Sequence, residues 1–322
     1  MKILVTGGLG LIGHNVVQRL ESQGHHVVIA DNFTDYGLIP RDEIDYLFAE
    51  RQKKITTRQI YRTDIVSEAL NNIIEQNQID TVVHLASFPR QKVVNVNPQL
   101  GSQTMSEGLL NLLELSVRHQ VKKFVYVSSS MVYGDFADQV REDAVCRPQG
   151  QYGILKLAGE WLVKDYTRKS GMAHVIIRPS AVYGPLDVND RVISKFLLSA
   201  MRGETLTVNG ANETLDFTYV DDAADGIAAA VTLEGANNKT YNITKSHSKT
   251  LLEAAELAVR IAGTGSINVR GRDLDFPSRG ALNIDAARAD LGYNPRVDME
   301  EGFEIYHQWL QESPYWQQKL KA

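Results

Sequence analysis

Two side chains one helical turn apart suggest the clearest chemistry in this sequence. Tyr152 and Lys156 lie near the start of a predicted helix over residues 151–170, and a spacing of four places both on one face. A lysine ammonium favours the phenolate form of a neighbouring tyrosine and so lowers the pKa of the phenol. Such a tyrosine can act as a general base near neutral pH. The pair alone is also common on solvated helix faces, so its meaning depends on the neighbouring motifs.

Hydroxyl groups follow a predicted strand over residues 121–127. The segment Ser128-Ser-Ser-Met-Val-Tyr-Gly134 begins where this strand ends. In an open α/β sheet, ligands bind beyond the carboxyl ends of the strands, so these hydroxyls lie where chemistry would take place. A serine-rich loop is also an ordinary connection, and the other motifs decide between the two interpretations.

The amino terminus predicts a site for a dinucleotide. A short buried strand, residues 3–5, leads into Gly7, Gly10 and Gly13, and apolar residues then recur at helical spacing. Gly7 permits a tight turn, Gly10 admits the backbone close to a pyrophosphate, and Gly13 allows close packing of helix on strand. The free N–H groups at the start of the helix attract the negative phosphate charge.

An acidic residue at the end of the second strand indicates which dinucleotide would bind. The strand over residues 26–30 ends in Asp31, eighteen residues after Gly13. Its carboxylate can accept hydrogen bonds from both hydroxyls of an adenosine ribose and would repel a 2′-phosphate, which favours NAD over NADP. Asp64 follows a third predicted strand, 58–62, where capping of the next helix and contact with the adenine amino group are equally compatible.

The order of the elements predicts an α/β protein. Further strands at 81–85, 121–127 and 173–178 alternate with helices at 99–119 and 151–170. We expect a Rossmann-type doubly wound parallel sheet with a smaller, irregular carboxyl-terminal substrate lobe.

The clear alternation weakens in the second half of the chain, and this sets the expected domains. Residues 1–180 are expected to form the NAD-binding Rossmann domain. Residues 181–322 are expected to form mostly the substrate-binding lobe, with some segments returning to the Rossmann domain. The tail beyond Pro314 is expected to be a surface appendage.

The bulk composition is that of an ordinary globular protein. The chain has 322 residues and a formal net charge of −5, which argues against a general nucleic-acid binder. No apolar run reaches the roughly 18 residues of a membrane span, and the amino terminus lacks the pattern of a signal peptide. The single cysteine, Cys146, cannot form a disulfide within the chain, so we expect a cytoplasmic protein. No metal site is predicted.

Taken together and in order, the motifs resemble those of the extended short-chain dehydrogenase/reductases, and within them the NAD-dependent nucleotide-sugar epimerase/dehydratase family, in particular UDP-sugar 4-epimerases. The matching segments are Gly7-x-x-Gly10-x-x-Gly13, Asp31, His84-Leu-Ala, Ser128-Ser-Ser-x-Val-Tyr-Gly134, Tyr152-x-x-x-Lys156, Arg178-Pro-x-x-Val-Tyr-Gly-Pro185, Asp216-Phe-Thr-Tyr-Val-Asp-Asp222 and Leu291-Gly-Tyr-x-Pro295. The resemblance covers almost the whole chain. It implies about seven parallel strands and a homodimer through a four-helix bundle, to which the helices at 99–119 and 151–170 contribute.

The resemblance also implies roles for the catalytic residues. Tyr152 would remove the proton of a sugar hydroxyl, Lys156 would hold the nicotinamide ribose, and Ser129 would bond the reacting sugar oxygen. Dehydratases of the family carry Asp-Glu at the next two positions, and sugar decarboxylases usually keep the Glu, whereas this chain has Ser130 and Met131. Because methionine cannot transfer a proton, an epimerase is favoured over a dehydratase.

The binding residues that follow from the motifs and the resemblance fall into two sets. The expected NAD-binding residues are Gly7, Gly10, Leu11, Ile12, Gly13, Asp31, Asn32, Asp64, Ile65, Leu85, Ala86, Ser87, Tyr152, Lys156 and Pro179. The expected substrate-binding residues are Arg90, Ser130, Arg191 and Arg279. Ala181 and Leu215 replace two residues that usually contact the nucleotide diphosphate, so other cations must meet its charge or the substrate is not a standard nucleotide sugar.

The predicted function is therefore NAD-dependent epimerisation of a nucleotide-linked sugar at C4, by transient oxidation to a keto sugar with retained NAD. One alternative is an NAD-dependent dehydrogenase, reductase or dehydratase that acts on a sugar or another secondary alcohol. Another is a non-catalytic NAD sensor. The expected partners are a nucleotide sugar and a second copy of the chain, with neither nucleic acid nor membrane.

Overall fold

The computed structural model describes residues 1–34, 37 and 39–321. The strands are β1 (Lys2–Thr6), β2 (His26–Asp31), β3 (Ile60–Arg62), β4 (Thr81–His84), β5 (Lys123–Val127), β6 (Ala173–Pro179), β7 (Val182–Tyr183), β8 (Thr205–Asn209), β9 (Thr214–Asp216), β10 (Thr218–Tyr219), β11 (Lys239–Ile243), β12 (Ser248–Thr250) and β13 (Ser266–Arg270).

The helices alternate with these strands through the first half of the chain. They are α1 (Leu11–Ser22), α2 (Arg41–Lys53), α3 (Ala69–Asn77), α4 (Gln91–Val96), α5 (Pro98–Ser102), α6 (Leu109–Arg118), α7 (Gly150–Ser170), α8 (Val192–Met201), α9 (Val220–Thr232), α10 (Leu251–Ala262), α11 (Asp285–Leu291), α12 (Met299–Glu312) and α13 (Pro314–Lys321). A π-helical segment, Gln103–Gly108, joins α5 to α6, so the helix expected at 99–119 is present with a local change of pitch. None of the helices described is long and apolar enough to cross a membrane.

A parallel sheet forms the centre of the molecule. Within the described residues it has seven strands in the order β11-β6-β5-β4-β1-β2-β3. Strands β4 and β5 are buried along their whole length because helices cover both faces of the sheet. The strand order reverses direction between β1 and β4, and this is the point at which a doubly wound sheet opens a crevice for ligands. The predicted α/β class and doubly wound sheet are confirmed.

Separate apolar cores lie on the two faces of the sheet. On one face Val16 and Leu20 of α1 pack with Ile227 of α9. On the other face Leu70 of α3 packs with Leu112 of α6. These helices thereby fix the carboxyl ends of the central strands, where the predicted chemistry would lie.

The remaining segments build a third core beside the sheet. This core contains Phe196 of α8, Phe303 of α12 and Phe217, which lies between β9 and β10. It lies next to the small strand pairs β8–β13 and β9–β12. The expectation of a surface appendage after Pro314 is wrong, because Trp316 of α13 is only 2% exposed and belongs to this core. Strand β11 does not belong to this third core; it returns to the central sheet and pairs in parallel with β6.

Candidate active site

A cavity of about 1010 Å³ lies at the carboxyl ends of the central strands. The glycine loop and the end of β2 line one side, and the segments after β6 line the other. Every residue predicted to bind or act on a ligand lines this cavity, with the exception of Asp64. The tertiary structure therefore brings residues that are up to 272 positions apart, from Gly7 to Arg279, around one space.

The glycine loop has the shape that a pyrophosphate needs. Gly7 has a φ of +69°, and its N–H donates to the carbonyl oxygen of Ala30 at 2.8 Å. A Cβ on Gly13 would lie only 2.2 Å from the Gly7 carbonyl oxygen, so no larger residue allows α1 to approach the loop this closely. The start of α1, with Leu11 and Ile12, then faces the cavity. These residues fit a dinucleotide.

Asp31 holds this loop as well as facing the cavity. Its carboxylate accepts hydrogen bonds from the N–H groups of Leu9 and Phe33, both at 2.9 Å. Burial raises the pKa of Asp31, against the effect of these two hydrogen bonds. Each carboxylate oxygen retains a second lone pair, so contact with ribose hydroxyls remains compatible with the observed contacts.

Asp64 makes local contacts rather than lining the cavity. Its carboxylate accepts from Val66 N at 3.1 Å and from the side-chain amide of Asn32 at 2.8 Å. Asp64 therefore caps a turn that precedes α3 and is not the N-cap residue of that helix. Its neighbour Ile65 and the segment Leu85, Ala86 and Ser87 do line the cavity, as does Pro179 at the end of β6.

The three predicted catalytic side chains meet at the ends of β5 and α7. Tyr152 and Lys156 are buried, and Lys156 Nζ lies 5.9 Å from the centre of the Tyr152 ring. Lys156 Nζ also donates to the carbonyl oxygen of Val127 at 2.8 Å, which holds it at the end of the strand. Ser129 accepts a hydrogen bond from Met131 N at 3.2 Å, and its hydroxyl opposes the rise in the pKa of Tyr152.

The predicted effect of Lys156 on the pKa of Tyr152 is wrong for this structure. Burial raises the pKa of Tyr152, while Ser129 and the positive charge of Arg191 oppose that rise. Burial also lowers the pKa of Lys156 to about 7. The physical reason is that both groups have lost their hydration, and a lysine driven towards its neutral form exerts less positive charge on its neighbour.

A buried network beneath these residues was not predicted. Arg178 donates to both carboxylate oxygens of Glu160, at 2.9 and 2.6 Å, and Ser128 donates to the same carboxylate at 2.6 Å. The charge of Glu160 raises the pKa of Lys156 against the larger effect of burial. The spacing of Tyr152, Lys156 and Glu160 at four-residue intervals could have revealed this position from the sequence.

The two residues after Ser129 have no group that could assist elimination of water. Ser130 donates to the Ser180 hydroxyl at 3.2 Å. Met131 is 6% exposed, and its sulfur accepts from Nη1 of Arg279 at 3.5 Å. Neither side chain is a carboxyl, so the pair cannot supply the acid and base that the family resemblance associates with dehydratases.

Arg279 lies in the cavity wall with donors to spare. Its Nε is buried and has no hydrogen-bond partner among the described residues. Burial lowers the pKa of Arg279 to about 10; the charge of Glu213 opposes this shift, and the positive charge of Arg191 contributes to it. Arg191 itself lies 3.7 Å from the carboxylate of Asp187. Two guanidinium groups thus influence each other across one part of the cavity, a position that suits an anion.

The carboxylate of Asp190, which the sequence did not predict as part of the site, is surrounded by three cationic side chains. Lys195 Nζ lies 2.6 Å and Lys92 Nζ 3.2 Å from one of its oxygens, and Arg90 pairs with the other. Arg90 also donates to the Asp190 carbonyl oxygen at 2.7 Å. No local sequence signal connects Asp190 to Arg90, because the contact spans 100 residues.

Helix α2 joins the two sides of the cavity. Arg51 is buried, and its guanidinium donates to the carbonyl oxygen of Leu9 at 2.9 Å and to that of Leu186 at 2.6 Å. Glu43 accepts from Asn189 N at 2.8 Å, and burial raises its pKa to about 7. The glycine loop and the segment after β7 are therefore held by one helix.

The side chains that commonly bind metal ions are those of His, Cys, Asp and Glu. In the part of the chain that the structure describes, no three His, Cys, Asp or Glu side chains are grouped so as to hold a metal ion. Cys146 is half-buried, and burial raises the pKa of its thiol.

Comparisons with known proteins show the family of this chain. The sequence model of the NAD dependent epimerase/dehydratase family matches residues 3–244. A Bacillus subtilis protein named uncharacterized UDP-glucose epimerase is 28% identical over 310 residues, which cover 94% of this chain and 95% of that protein. UDP-glucuronic acid decarboxylase 1 of Arabidopsis thaliana is 28% identical over 312 residues, which cover 94% of this chain and 68% of that protein.

A solved structure extends the likeness to the arrangement of the whole chain. UDP-glucuronic acid 4-epimerase from Bacillus cereus, in complex with UDP-glucuronic acid and NAD, superposes with a TM-score of 0.88 at 29% identity, over 96% of this chain and 98% of that chain. The family match spans most of the chain, and the glycine loop fits a dinucleotide, so the cofactor is NAD. The chain belongs to the NAD-dependent epimerase/dehydratase family of extended short-chain dehydrogenase/reductases.

Proposed function

We propose that this protein is an epimerase that inverts C4 of a nucleotide-linked sugar and retains NAD through the cycle. The observation that carries the proposal is the pair of side chains next to Ser129. Tyr152, Lys156 and Ser129 provide what oxidation and reduction of a hydroxyl require, whereas Ser130 and Met131 provide no carboxyl for elimination or decarboxylation. A chain that can oxidise and reduce the sugar, but has no acid–base pair for a further reaction, is suited to epimerisation.

The proposed mechanism assigns proton handling to this chain. NAD, when bound by the glycine loop and Asp31, supplies the hydride acceptor and donor. The Tyr152 oxygen takes the proton of the C4 hydroxyl during oxidation and returns it during reduction. The hydroxyl of Ser129, which also lines the cavity, fixes the reacting sugar oxygen. Lys156, held by the Val127 carbonyl oxygen, would bind the nicotinamide ribose. The keto sugar turns its other face to the same groups before reduction.

The proposed anchor of the diphosphate is the pair Arg279 and Arg191. Ala181 and Leu215 remove two contacts that the family usually provides, so the phosphate charge must be met by other groups. Arg279 brings a buried Nε that lacks a hydrogen-bond partner among the described residues, and Arg191 lies close enough to lower its pKa. Guanidinium groups bind phosphates with paired, charge-assisted hydrogen bonds.

Two measurements on purified protein test the proposed function. The protein is first denatured, and the released dinucleotide is identified. Fresh protein is then incubated with UDP-glucose, UDP-glucuronic acid and other nucleotide sugars, while absorbance at 340 nm and the identity of the sugar are followed. We expect bound NAD and a C4 epimer without net formation of NADH.

The other outcomes identify the alternatives. One NADH formed for each sugar consumed indicates a dehydrogenase, and a deoxy-keto sugar or a pentose product indicates a dehydratase or decarboxylase. Bound NAD without turnover of any sugar supports the sensor. Each of these results contradicts the epimerase proposal.

We also propose that the protein forms a homodimer through α5–α6 and α7. Ile154 and Trp161 of α7 are 52% and 65% exposed and lie two turns apart on one helix face. Apolar side chains of this size on a shared face are typical of a protein–protein contact. Analytical ultracentrifugation should show a dimer that Trp161→Glu converts to monomer. The control Leu274→Glu, at an exposed loop position elsewhere, should remain dimeric; a monomeric parent contradicts the proposal.

A further inference from the structure

The amide side chain of Gln91 reaches the backbone of Tyr152. Gln91 is only 4% exposed, although it is the first residue of α4 and lines the cavity. Its Oε1 accepts a hydrogen bond from Tyr152 N at 3.1 Å, and its Nε2 donates to the side-chain oxygen of Asn95 at 2.8 Å. Both ends of the amide are therefore engaged, which fixes its orientation.

The contact completes the start of α7, where backbone donors need partners. The first N–H groups of a helix have no acceptor within the helix, and a side chain at the N-cap normally provides one. Gln149 occupies that position but makes no capping contact, and its amide instead donates to Asp135 at 2.5 Å. Gln91 provides the acceptor from 61 residues away, and it bonds the N–H of Tyr152 itself.

The neighbouring backbone is shaped to receive this amide. Gly150, the first residue of α7, has a φ of +75°. A Cβ there would lie 2.1 Å from Nε2 of Gln91. A side chain at position 150 would thus displace the amide from the helix start, and the glycine allows the close approach.

The residues on either side of Gln91 connect the start of α4 to the opposite wall of the cavity. Arg90 and Lys92 both pair with Asp190, which precedes α8. Gln91 is therefore held from both sides, by Asp190 through its neighbours and by Asn95 through its own amide. A rigid support of this kind is what a reacting group needs, because small errors in its position lower the rate strongly.

We propose that Gln91 is a positioning residue that sets the place of the Tyr152 hydroxyl. The inference rests on the proposed role of Tyr152 as the base. Gln91 acts through the backbone of Tyr152 and does not bind the sugar. Its loss should therefore lower kcat and leave KM and the NAD content unchanged.

Nuclear magnetic resonance of the protein labelled with ¹³C at tyrosine Cζ tests the positioning without a substrate. The Tyr152 signal is the one that disappears in Tyr152→Phe. We expect Gln91→Met to shift or broaden this signal, and the control Gln149→Met to leave it unchanged. A Tyr152 signal in Gln91→Met that superposes on that of the parent overturns the proposal. If Gln91→Met does not fold, Gln91→Asn withdraws the amide by one methylene and undergoes the same test.

Steady-state kinetics on the sugar that the parent converts tests the consequence. We expect Gln91→Met to lower kcat roughly tenfold with KM within about twofold of the parent, and Gln91→Glu, which keeps the acceptor oxygen, to lose less. In the Tyr152→Phe background, Gln91→Met should change the rate by less than about twofold, because residues that act as one unit are not additive.

The outcomes separate this inference from the proposed function. A tenfold loss in both backgrounds, or a raised KM with unchanged kcat, shows that Gln91 acts apart from Tyr152 and overturns the inference alone. Parent-like turnover by Tyr152→Phe removes the base itself, and both the mechanism and the inference then fail.

Discussion

The two ends of the cavity hold their charged groups in different ways. At the NAD end, Asp31 accepts from backbone N–H groups and Arg51 donates to backbone carbonyl oxygens. At the substrate end, Asp190 is surrounded by the long side chains of Arg90, Lys92 and Lys195, and Arg279 contacts a thioether. The charged groups of the NAD end are therefore held by hydrogen bonds to the backbone, whereas those of the substrate end are held by contacts between side chains.

The difference indicates how each end recognises its ligand. Backbone groups cannot move without moving the fold, so the NAD end is preformed. Arginine and lysine side chains have several rotatable bonds and lose conformational entropy when they are fixed. Arg279, whose Nε lacks a hydrogen-bond partner among the described residues, keeps a donor for an incoming anion, so this part of the substrate end can adapt to a ligand. The following predictions test this contrast, from the largest effect to the smallest.

Between the two ends lies Tyr152, the proposed base, where we expect the largest effect. Tyr152→Phe should keep the fold and bound NAD and lower turnover roughly 10²–10⁴-fold, the usual contribution of a general acid–base group. Tyr166→Phe, on the same helix but paired with Glu114 outside the cavity, is the matched control and should behave as the parent. Steady-state rates and the NAD content of both variants provide the measurement. A near-normal rate in Tyr152→Phe removes this residue from the mechanism.

A second prediction addresses the adaptable end alone. Arg279→Ala should raise KM for the nucleotide sugar by about 10- to 100-fold, which corresponds to the roughly 1.5–3 kcal/mol of a charge-assisted contact. Bound NAD should not change, because Arg279 does not contact the glycine loop. Arg270→Ala, at an exposed position of β13, is the control.

The result for Arg279 has a clear contrary outcome. If Arg279→Ala binds each nucleotide sugar as well as the parent does, in isothermal titration calorimetry, the diphosphate is anchored elsewhere. If the parent binds none of them, a substrate without a diphosphate becomes the better interpretation.

The preformed end should show a coupled loss. Asp31→Ala should weaken NAD binding about tenfold and reduce discrimination against NADP, since a carboxylate that binds ribose and repels a 2′-phosphate is lost. It should also lower the melting temperature, because the N–H groups of Leu9 and Phe33 lose their acceptor. Asp45→Ala, exposed on α2, is the control. Full NAD affinity with continued rejection of NADP would show that Asp31 is structural only.

Helix α2 joins the two ends, and its residue Glu43 should give the smallest effect. This effect is on stability and depends on pH. Burial raises the pKa of Glu43 from 4.5 to about 7, so the folded protein binds a proton there that the unfolded chain has released. The resulting stabilisation is complete below about pH 4.5 and is lost as the pH rises to about 7. Glu43→Gln removes this titration. We expect its free energy of unfolding to rise relative to that of the parent as the pH increases from 5 to 8.

Chemical denaturation at the two pH values measures this difference. Glu50→Gln, on the same helix and paired with Lys53 at the surface, should show no such gain. Equal pH dependence in Glu43→Gln and in the parent would mean that Glu43 does not titrate in this range.

The sequence by itself determined the NAD end, the sheet and the proposed catalytic trio. Gly7, Gly13 and Asp31 lie within 25 consecutive residues, and the strand, turn and helix that carry them are local structures set by hydrophobic period and glycine geometry. Tyr152 and Lys156 are joined by helical spacing alone. Such features depend on neighbours in the chain, which a sequence displays directly.

Only the tertiary structure decided the substrate end and the support of the base. The contact of Arg90 with Asp190 spans 100 residues and that of Gln91 with Tyr152 spans 61, so no local pattern announces either. The burial of Trp316 and the raised pKa of Tyr152 likewise depend on what packs against each side chain from distant segments. Desolvation and long-range pairing arise when the chain folds back on itself, because only then do these groups leave water together.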